Sequence, residues 1–366
     1  MSLLTNFKDL YYVMPFLDVL KNKYEIICIL ILGGSEFTLK LKVGVDVKLT
    51  RKQFLTMINL LGAITIATDC RKITKDKIEL SFDLKNKFEI QLTNMSTETI
   101  KLIELFFNGT RYGATFIKST GEDSFSINKK TLRIIYDKDI VVETDDGLKF
   151  YLKHMTPGII VEAFVRDIHN VNLFKDWSDR IVFDIGAECG DTALYYASKG
   201  AKVYSFEPMR AHFDAMQKNM SLNPELAKNI IATNAAIGKD GELLFYHSDR
   251  ADIAEGASFV YNKHGKNART SKVQGFSLKT VYEKFGIKHI DLLKMDCKGC
   301  EFNLTDNDLK IVDSVKIEYL ADGDKQKLQN LLTTLQNNNF QYIIFRHEPI
   351  FYASNLVCAT IYAKKQ

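Results

Sequence analysis

From Arg180 onward the chain alternates short apolar runs with helical patterns, and that grammar admits few folds: a parallel sheet whose strands are joined by crossover helices. Residues 181–184 read as a short buried strand, 192–199 as a helix closed by Gly200, and 202–207 as a second strand. A helix over 208–223 carries Pro208 at its first turn, where the missing N–H does no harm. Three more strands are predicted at 229–237, 290–296 and 314–320, and a helix at 325–338 with Leu328, Leu331, Leu332 and Leu335 on one face. Residues 340–346 and 356–363 end the chain with no room for a crossover, so this last pair is predicted antiparallel. The expectation is an α/β, Rossmann-like sheet of seven strands.

A chain of 366 residues has room for more than this one sheet. The stretch 36–47 (EFTLKLKVGVDV) alternates as a strand, and 51–61 is helical behind Thr50. Residues 79–92 read as strands with a polar turn and 97–107 as a helix. Polar residues 119–130, with Gly121, Asp123 and Asn128, form the best linker. Strands broken at Asp145-Asp146-Gly147 follow over 132–152, then a helix over 158–169. The predicted division is an N-terminal α/β accessory domain, 1–125, suited to docking or homodimerisation, and a second domain, 126–366, with 126–178 as its lead-in.

Composition narrows the class. With 46% apolar and 26% charged residues the chain is neither disordered nor fibrous. A net charge of +4 and only 10 Arg argue against nucleic acid or an anionic membrane as partner. The most apolar run, 26–32, is far short of the ~20 residues of a membrane helix. Lys8 and Asp9 interrupt the place where a secretory signal needs an apolar core, and the six cysteines are too scattered for a disulfide framework. The expected setting is cytoplasmic.

The chemistry concentrates in Val182-Phe-Asp-Ile-Gly-Ala-Glu-Cys-Gly-Asp191, a strand running into a glycine-bearing turn and then a helix. Ligands of open α/β sheets bind at such a strand end. Gly186 and Gly190 permit a tight turn and close backbone approach. Glu207, 23 residues after Asp184, ends the second strand, where an acid accepts hydrogen bonds from ribose hydroxyls. A dinucleotide loop would place glycines where Glu188 and Asp191 stand, and two carboxylates would repel a pyrophosphate. S-adenosylmethionine has no phosphate and carries a sulfonium and an ammonium, so Asp184 and Glu188 favour it over NAD.

Asp184-x-Gly-x-x-x-Gly190, Phe206-Glu-Pro208 and Leu293-Lys-Met-Asp-Cys-Lys-Gly-Cys-Glu301, in that order, resemble the FkbM family of class I methyltransferases over about residues 130–366. The resemblance implies that Asp184, Gly186 and Gly190, with Ala187, Glu188 and Thr192 around them, line the methionine end of the cofactor. It implies that Glu207, followed by Pro208, holds the ribose, that Asn234, Ala235 and Ala236 lie by the adenine, and that Asp296 stands beside the methyl and the acceptor. Family members are mostly O-methyltransferases on hydroxyls of glycans or secondary metabolites. Two positions depart from the family pattern: Glu188 stands where a neutral residue is usual, and Lys298 replaces an acid.

The expected function is O-methylation of a glycan or other small-molecule hydroxyl, with RNA or protein methylation, or a catalytically silent cofactor-binding protein, as alternatives. Asp296 is the candidate base or orienter and Glu318 its support. Lys298 reads as a solvent-facing residue at a helix start. Cys297-Lys-Gly-Cys300 matches a redox C-x-x-C, but its place inside the methyltransferase motif favours small buried fillers. The seven histidines show no metal spacing and no second cysteine pair completes a zinc site, so no metal is expected. The polar segment 248–271, ending in Lys263, Lys266 and Arg269 with Lys272 just beyond, sits where an acceptor loop would be and reads as a solvated loop.

Overall fold

The computed structural model describes residues 14–366 except 52–53, 55–57, 76, 82–86, 93–97, 99–100, 106–114, 120–121, 128–129, 137, 166–167, 169–175, 248–268, 322–324 and 347–356. The chain divides into two units, Met1–Asp167 and Ile168–Gln366.

The first unit is mixed α/β. A helix, Lys23–Leu32, stops at Gly33 with φ 78°. The alternation at 36–47 is two strands, Glu36–Lys40 and Asp46–Thr50, because Gly44 at φ 83° reverses the chain between them. An antiparallel sheet of Asp69–Thr74, Lys77–Ser81 and Lys87–Gln91 follows. A second, five-stranded sheet joins Thr115–Ser119, Glu122–Ile127, Lys130–Tyr136, Ile140–Thr144 and Lys149–Tyr151 in chain order.

That sheet replaces the expected linker. Glu122–Ile127 is hydrogen-bonded on both sides, and a ladder pairs the backbone of Asp123 and Ser124 as readily as that of an apolar residue. The strands predicted as a lead-in therefore belong to the first unit, and the division falls some forty residues later than the composition suggests. Of the helix expected at 158–169, the described residues hold an α turn, Pro157–Ile160, continuing as a wider π turn, Val161–Val165.

The second unit carries the seven-stranded Rossmann-like sheet. Its strands are β1 (Ile181–Ile185), β2 (Lys202–Phe206), β3 (Ile230–Thr233), β4 (Leu292–Met295), β5 (Ser314–Ala321), β6 (Phe340–Arg346) and β7 (Val357–Lys365). They lie in the order 3-2-1-4-5-7-6. The first five run parallel, and β7 enters antiparallel between β5 and β6 as predicted. The central strands are buried on both faces, which is why they read as unbroken apolar runs.

Helices α1 (Asp191–Ser198), α2 (Arg210–Ser221), α3 (Leu278–Phe285) and α4 (Lys325–Asn337) belong to this unit. The Ser277 hydroxyl accepts the Thr280 N–H to cap α3, and Gly286 at φ 64° ends it. Leu331, Leu332 and Leu335 of α4 join Phe183, Phe206 and Ile317 in one core.

The strand predicted at 229–237 breaks at Asn234-Ala235. Beyond the break, Ala236–Ile237 pairs with Arg269–Phe276, itself paired with Gly241–His247, in a separate small sheet. Arg269 and Lys272 thus stand on a strand, and Lys272 pairs with Glu242 at 2.7 Å. Lys263 and Lys266 lie outside the described residues. Among the described residues no helix is long and apolar enough to cross a membrane.

Candidate functional site

One register row of the sheet is polar and, up to the half-buried Tyr362, buried. Ser205, Asp184, Lys294, Lys316 and Tyr362 are successive partners across β2, β1, β4, β5 and β7. Asp184 is fully buried, and the Lys294 Nζ stands 2.9 Å from its Oδ1 while donating to the Gly186 carbonyl at 3.0 Å. Burial opposes the charge of Lys294, but Asp184 and Asp296 outweigh it and raise its pKa. Lys316, next in the row, donates to the Ile168 carbonyl at 3.2 Å. Burial, with Lys294 adding to it, lowers its pKa to about 8.

Above this row β1 ends in a tight loop. Gly186, Glu188 and Gly190 all have positive φ, at 79°, 44° and 83°. A Cβ on Gly186 would stand 2.2 Å from the Asp296 carbonyl oxygen, so only glycine lets this loop touch the end of β4. The N–H groups of Gly186 and Ala187 donate to the Phe206 carbonyl at 3.0 and 3.2 Å, tying the loop to the end of β2. Asn219 of α2 donates to the Cys189 carbonyl at 2.9 Å.

Glu207 is the hub of that junction. One carboxylate oxygen accepts the Glu188 N–H at 2.9 Å and the other the Met209 N–H at 2.8 Å. Burial pushes its pKa up to about 7. Asn234 donates to the carbonyls of Glu207 and Pro208 at 2.8 and 3.0 Å, clamping the turn from the end of β3. Ala235 and Ala236 are buried beside it. Thr192 and Asp191 are buried in the first turn of α1, and burial raises Asp191 to about 6.

Across the loop, β4 and β5 supply a charged cluster. Lys298, at φ 53°, ion-pairs with Asp296 and, at 2.9 Å, with Glu318 Oε1. The expected solvent-facing Lys298 is thus the bridge between the two candidate catalytic acids. Burial would raise the Asp296 pKa, but Lys298 and Lys294 overcome it and hold the carboxyl below its usual value. Lys298 itself is raised well above the ordinary lysine value, since the two acids outweigh the burial that opposes its charge.

The cysteines depart from expectation as well. Cys297 and Cys300 are joined in a disulfide rather than packed as separate fillers. The fold thus brings Asp296 and Glu318 together through Lys298, and joins Glu188 to Glu207 through a backbone N–H. It turns Asp184 inward to Lys294. Lys294 escaped the sequence reading, and its signal was a lysine inside an otherwise apolar strand.

Residues 184–342 match the family described as Methyltransferase FkbM domain. No curated protein matches the chain. Among solved structures, a precorrin-6y C5,15-methyltransferase from Geobacter metallireducens is 12% identical, covering 53% of this chain and 84% of its own, at TM-score 0.32. TYW2 of M. jannaschii, solved in complex with AdoMet, is 14% identical, with 66% and 89% covered and TM-score 0.35. An rRNA methylase from Streptococcus thermophilus is 12% identical, with 52% and 89% covered and TM-score 0.33.

Proposed function

We propose that the chain, whose residues 184–342 match the family described as Methyltransferase FkbM domain, transfers a methyl group from S-adenosylmethionine to a hydroxyl of a glycan or other small molecule. The observation that carries this is the Glu207 turn, locked by hydrogen bonds to the glycine loop on one side and to Asn234 on the other.

The residues fit such a cofactor. A carboxylate has about four lone-pair directions, so Glu207 keeps acceptor capacity for two ribose hydroxyls beyond its two backbone donors. The loop from Gly186 to Gly190 offers close backbone approach, while Glu188 and Asp191 set carboxylates where a pyrophosphate would bind. Asn234, Ala235 and Ala236 would flank the adenine. Asp184 acts from beneath, through Lys294, by fixing the loop's Gly186 carbonyl.

When bound, S-adenosylmethionine supplies an electrophilic methyl on a sulfonium. The chain's part is to orient the acceptor and exclude water. The Asp296 carboxylate accepts the hydrogen bond of the acceptor hydroxyl and takes its proton as the new C–O bond forms. Its lowered basicity is no obstacle, because the hydroxyl becomes strongly acidic as its oxygen gains the methyl. Lys298 keeps Asp296 ionised, and Glu318 keeps Lys298 in place.

The test is calorimetric titration with S-adenosylmethionine, S-adenosylhomocysteine and NAD, on the wild type and on Glu207→Ala. Labelled-methyl transfer to glycan, RNA and protein pools follows. Binding of the first two ligands, lost in the variant, with label in the glycan pool, is expected. NAD binding alone refutes the cofactor, label in RNA or protein refutes the acceptor, and binding with no transfer refutes the activity.

A further inference from the structure

The C-x-x-C turn has features that methyl transfer does not use. Its two sulfurs are bonded, with Cα atoms 5.5 Å apart. They differ in access: Cys297 is half-buried, whereas Cys300 is 3% exposed. An attacking sulfur can therefore reach the pair through Cys297, and Cys300 is the sulfur shielded from solvent.

Behind the pair sits Glu301, with none of its surface exposed. Its Oε2 lies 3.1 Å from the Cys297 Sγ and accepts the Gly299 N–H at 2.8 Å. Its Oε1 is buried without a hydrogen-bond partner. Both sulfurs and a carboxylate oxygen fall within 4.8 Å of one another. An ionised carboxylate so placed would set lone pairs against the sulfur and leave a charged, buried oxygen unsatisfied. A proton on Oε2 turns the sulfur contact into an O–H···S hydrogen bond and removes the charge from the buried Oε1, and burial pushes Glu301 up to about 7.

We propose that Cys297 and Cys300 form a reversible thiol–disulfide exchange site for a dithiol reductant, with Glu301 as the proton carrier of the accessible sulfur. In the first step a thiolate of the reductant attacks Cys297 Sγ. The bond to Cys300 breaks, its electron pair leaves on Cys300 Sγ, and that sulfur takes the proton of the reductant's second thiol. In the second step the new thiolate attacks the reductant's own sulfur in the mixed disulfide. Cys297 Sγ leaves with the electron pair and takes the proton of Glu301. Glu301 is reprotonated from solvent by the proton that the first thiol released. Two electrons and two protons pass from the dithiol, which ends as a disulfide, to the two cysteines.

The charged groups acting on Glu301 are Lys298, which lowers its pKa, and Asp296, which raises it. The carboxyl's proton is present below about pH 7, so its kinetic advantage falls as the pH passes through that value.

The experiment uses the full chain with dithiothreitol, alkylation and peptide mass analysis, which separates this pair from the free thiols of Cys28, Cys70 and Cys189. The peptide holding both cysteines is expected to change from disulfide to doubly alkylated on reduction, and back with oxidised dithiothreitol. Cys300→Ser is expected to trap glutathione on Cys297, and Cys297→Ser to trap none on Cys300. Glu301→Gln is expected to slow reduction at least about tenfold at about pH 6 and much less at about pH 8.5. Alkylation of both cysteines in oxidant-treated protein overturns the site. Equal trapping by the two Ser variants overturns the assigned order, and a Glu301→Gln variant reduced at the wild-type rate overturns the proton role. These readouts need no methyl acceptor, so they stand apart from the test of methyl transfer.

Discussion

Replacing Lys294 by methionine keeps the side chain's length and removes its charge, leaving Asp184 buried without its counter-ion. At the observed 2.9 Å and an effective dielectric of ~20, the pair attracts by roughly 6 kcal/mol before desolvation is subtracted. Removing one partner of such a pair costs about 3–5 kcal/mol, because the remaining charge has no compensation. In a unit of this size each kcal/mol lowers the melting temperature by about 2–4 °C, so Lys294→Met should melt some ~6–20 °C below the wild type. The lysine's contribution is complete at neutral pH: its folded pKa is raised above 10.5, so the stability is lost only as the pH climbs beyond that. The assay is built in. The chain's single tryptophan, Trp177, lies in the second unit with its ring 4.9 Å from that of Tyr196, so its fluorescence reports the melting of the unit that holds the pair. Asp184→Asn combined with Lys294→Met should regain about half of the loss, since no bare charge remains. A single variant melting within about 2 °C of the wild type, or a double variant no better than the sum of the singles, would refute the reasoning.

Three further outcomes are expected. Asp191, Glu207 and Glu301 release their protons near 3.8, 4.5 and 4.5 when unfolded but near about 6, 7 and 7 when folded, burial being the main cause in each. The folded chain then binds more protons across that window, so stability should fall from about pH 5 to about pH 7.5, and Glu207→Gln should flatten the slope; a wild-type melting temperature that rises with pH would contradict this. Gly186→Ala must fit a Cβ 2.2 Å from the Asp296 carbonyl oxygen at φ 79°, and should lose stability by more than the roughly 1–3 kcal/mol of backbone strain alone, read by the same fluorescence melt. Lys298→Met removes the main opposite charge beside Asp296, whose carboxyl titration, followed by carbon-13 NMR on aspartate-labelled protein, should move up, while an unmoved titration would break the link between them.

The architecture of the second unit was legible because its central strands are buried on both faces and separated by helices long enough to register a period. The antiparallel end was legible from the short gap before β7. The strand Glu122–Ile127 was not, since a ladder satisfies polar residues that composition assigns to a linker. At the site, the glycine loop and Glu207 declared themselves through spacing. Lys294 did not, because its partner Asp184 lies 110 positions earlier and meets it only when β1 and β4 become neighbours. Lys298 misled for a similar reason: the acid on β5 that draws it inward comes 20 residues later in the chain. The C-x-x-C spacing was visible throughout, and only coordinates could tell two fillers from a bonded pair.

The backbone contact between Gly186 and Asp296, together with the ion pair beneath it, has a consequence for anyone recombining this domain with a distant homologue. A crossover placed anywhere between the first glycine loop and β4 passes on one ion and one side of a contact while leaving their complements behind. Such chimeras should fail as a class, whichever parent supplies the front half. Crossovers placed before β1 or after Asp296 keep both partners in one fragment and should be tolerated far more often, so the map of viable junctions would trace this contact without any structure being solved.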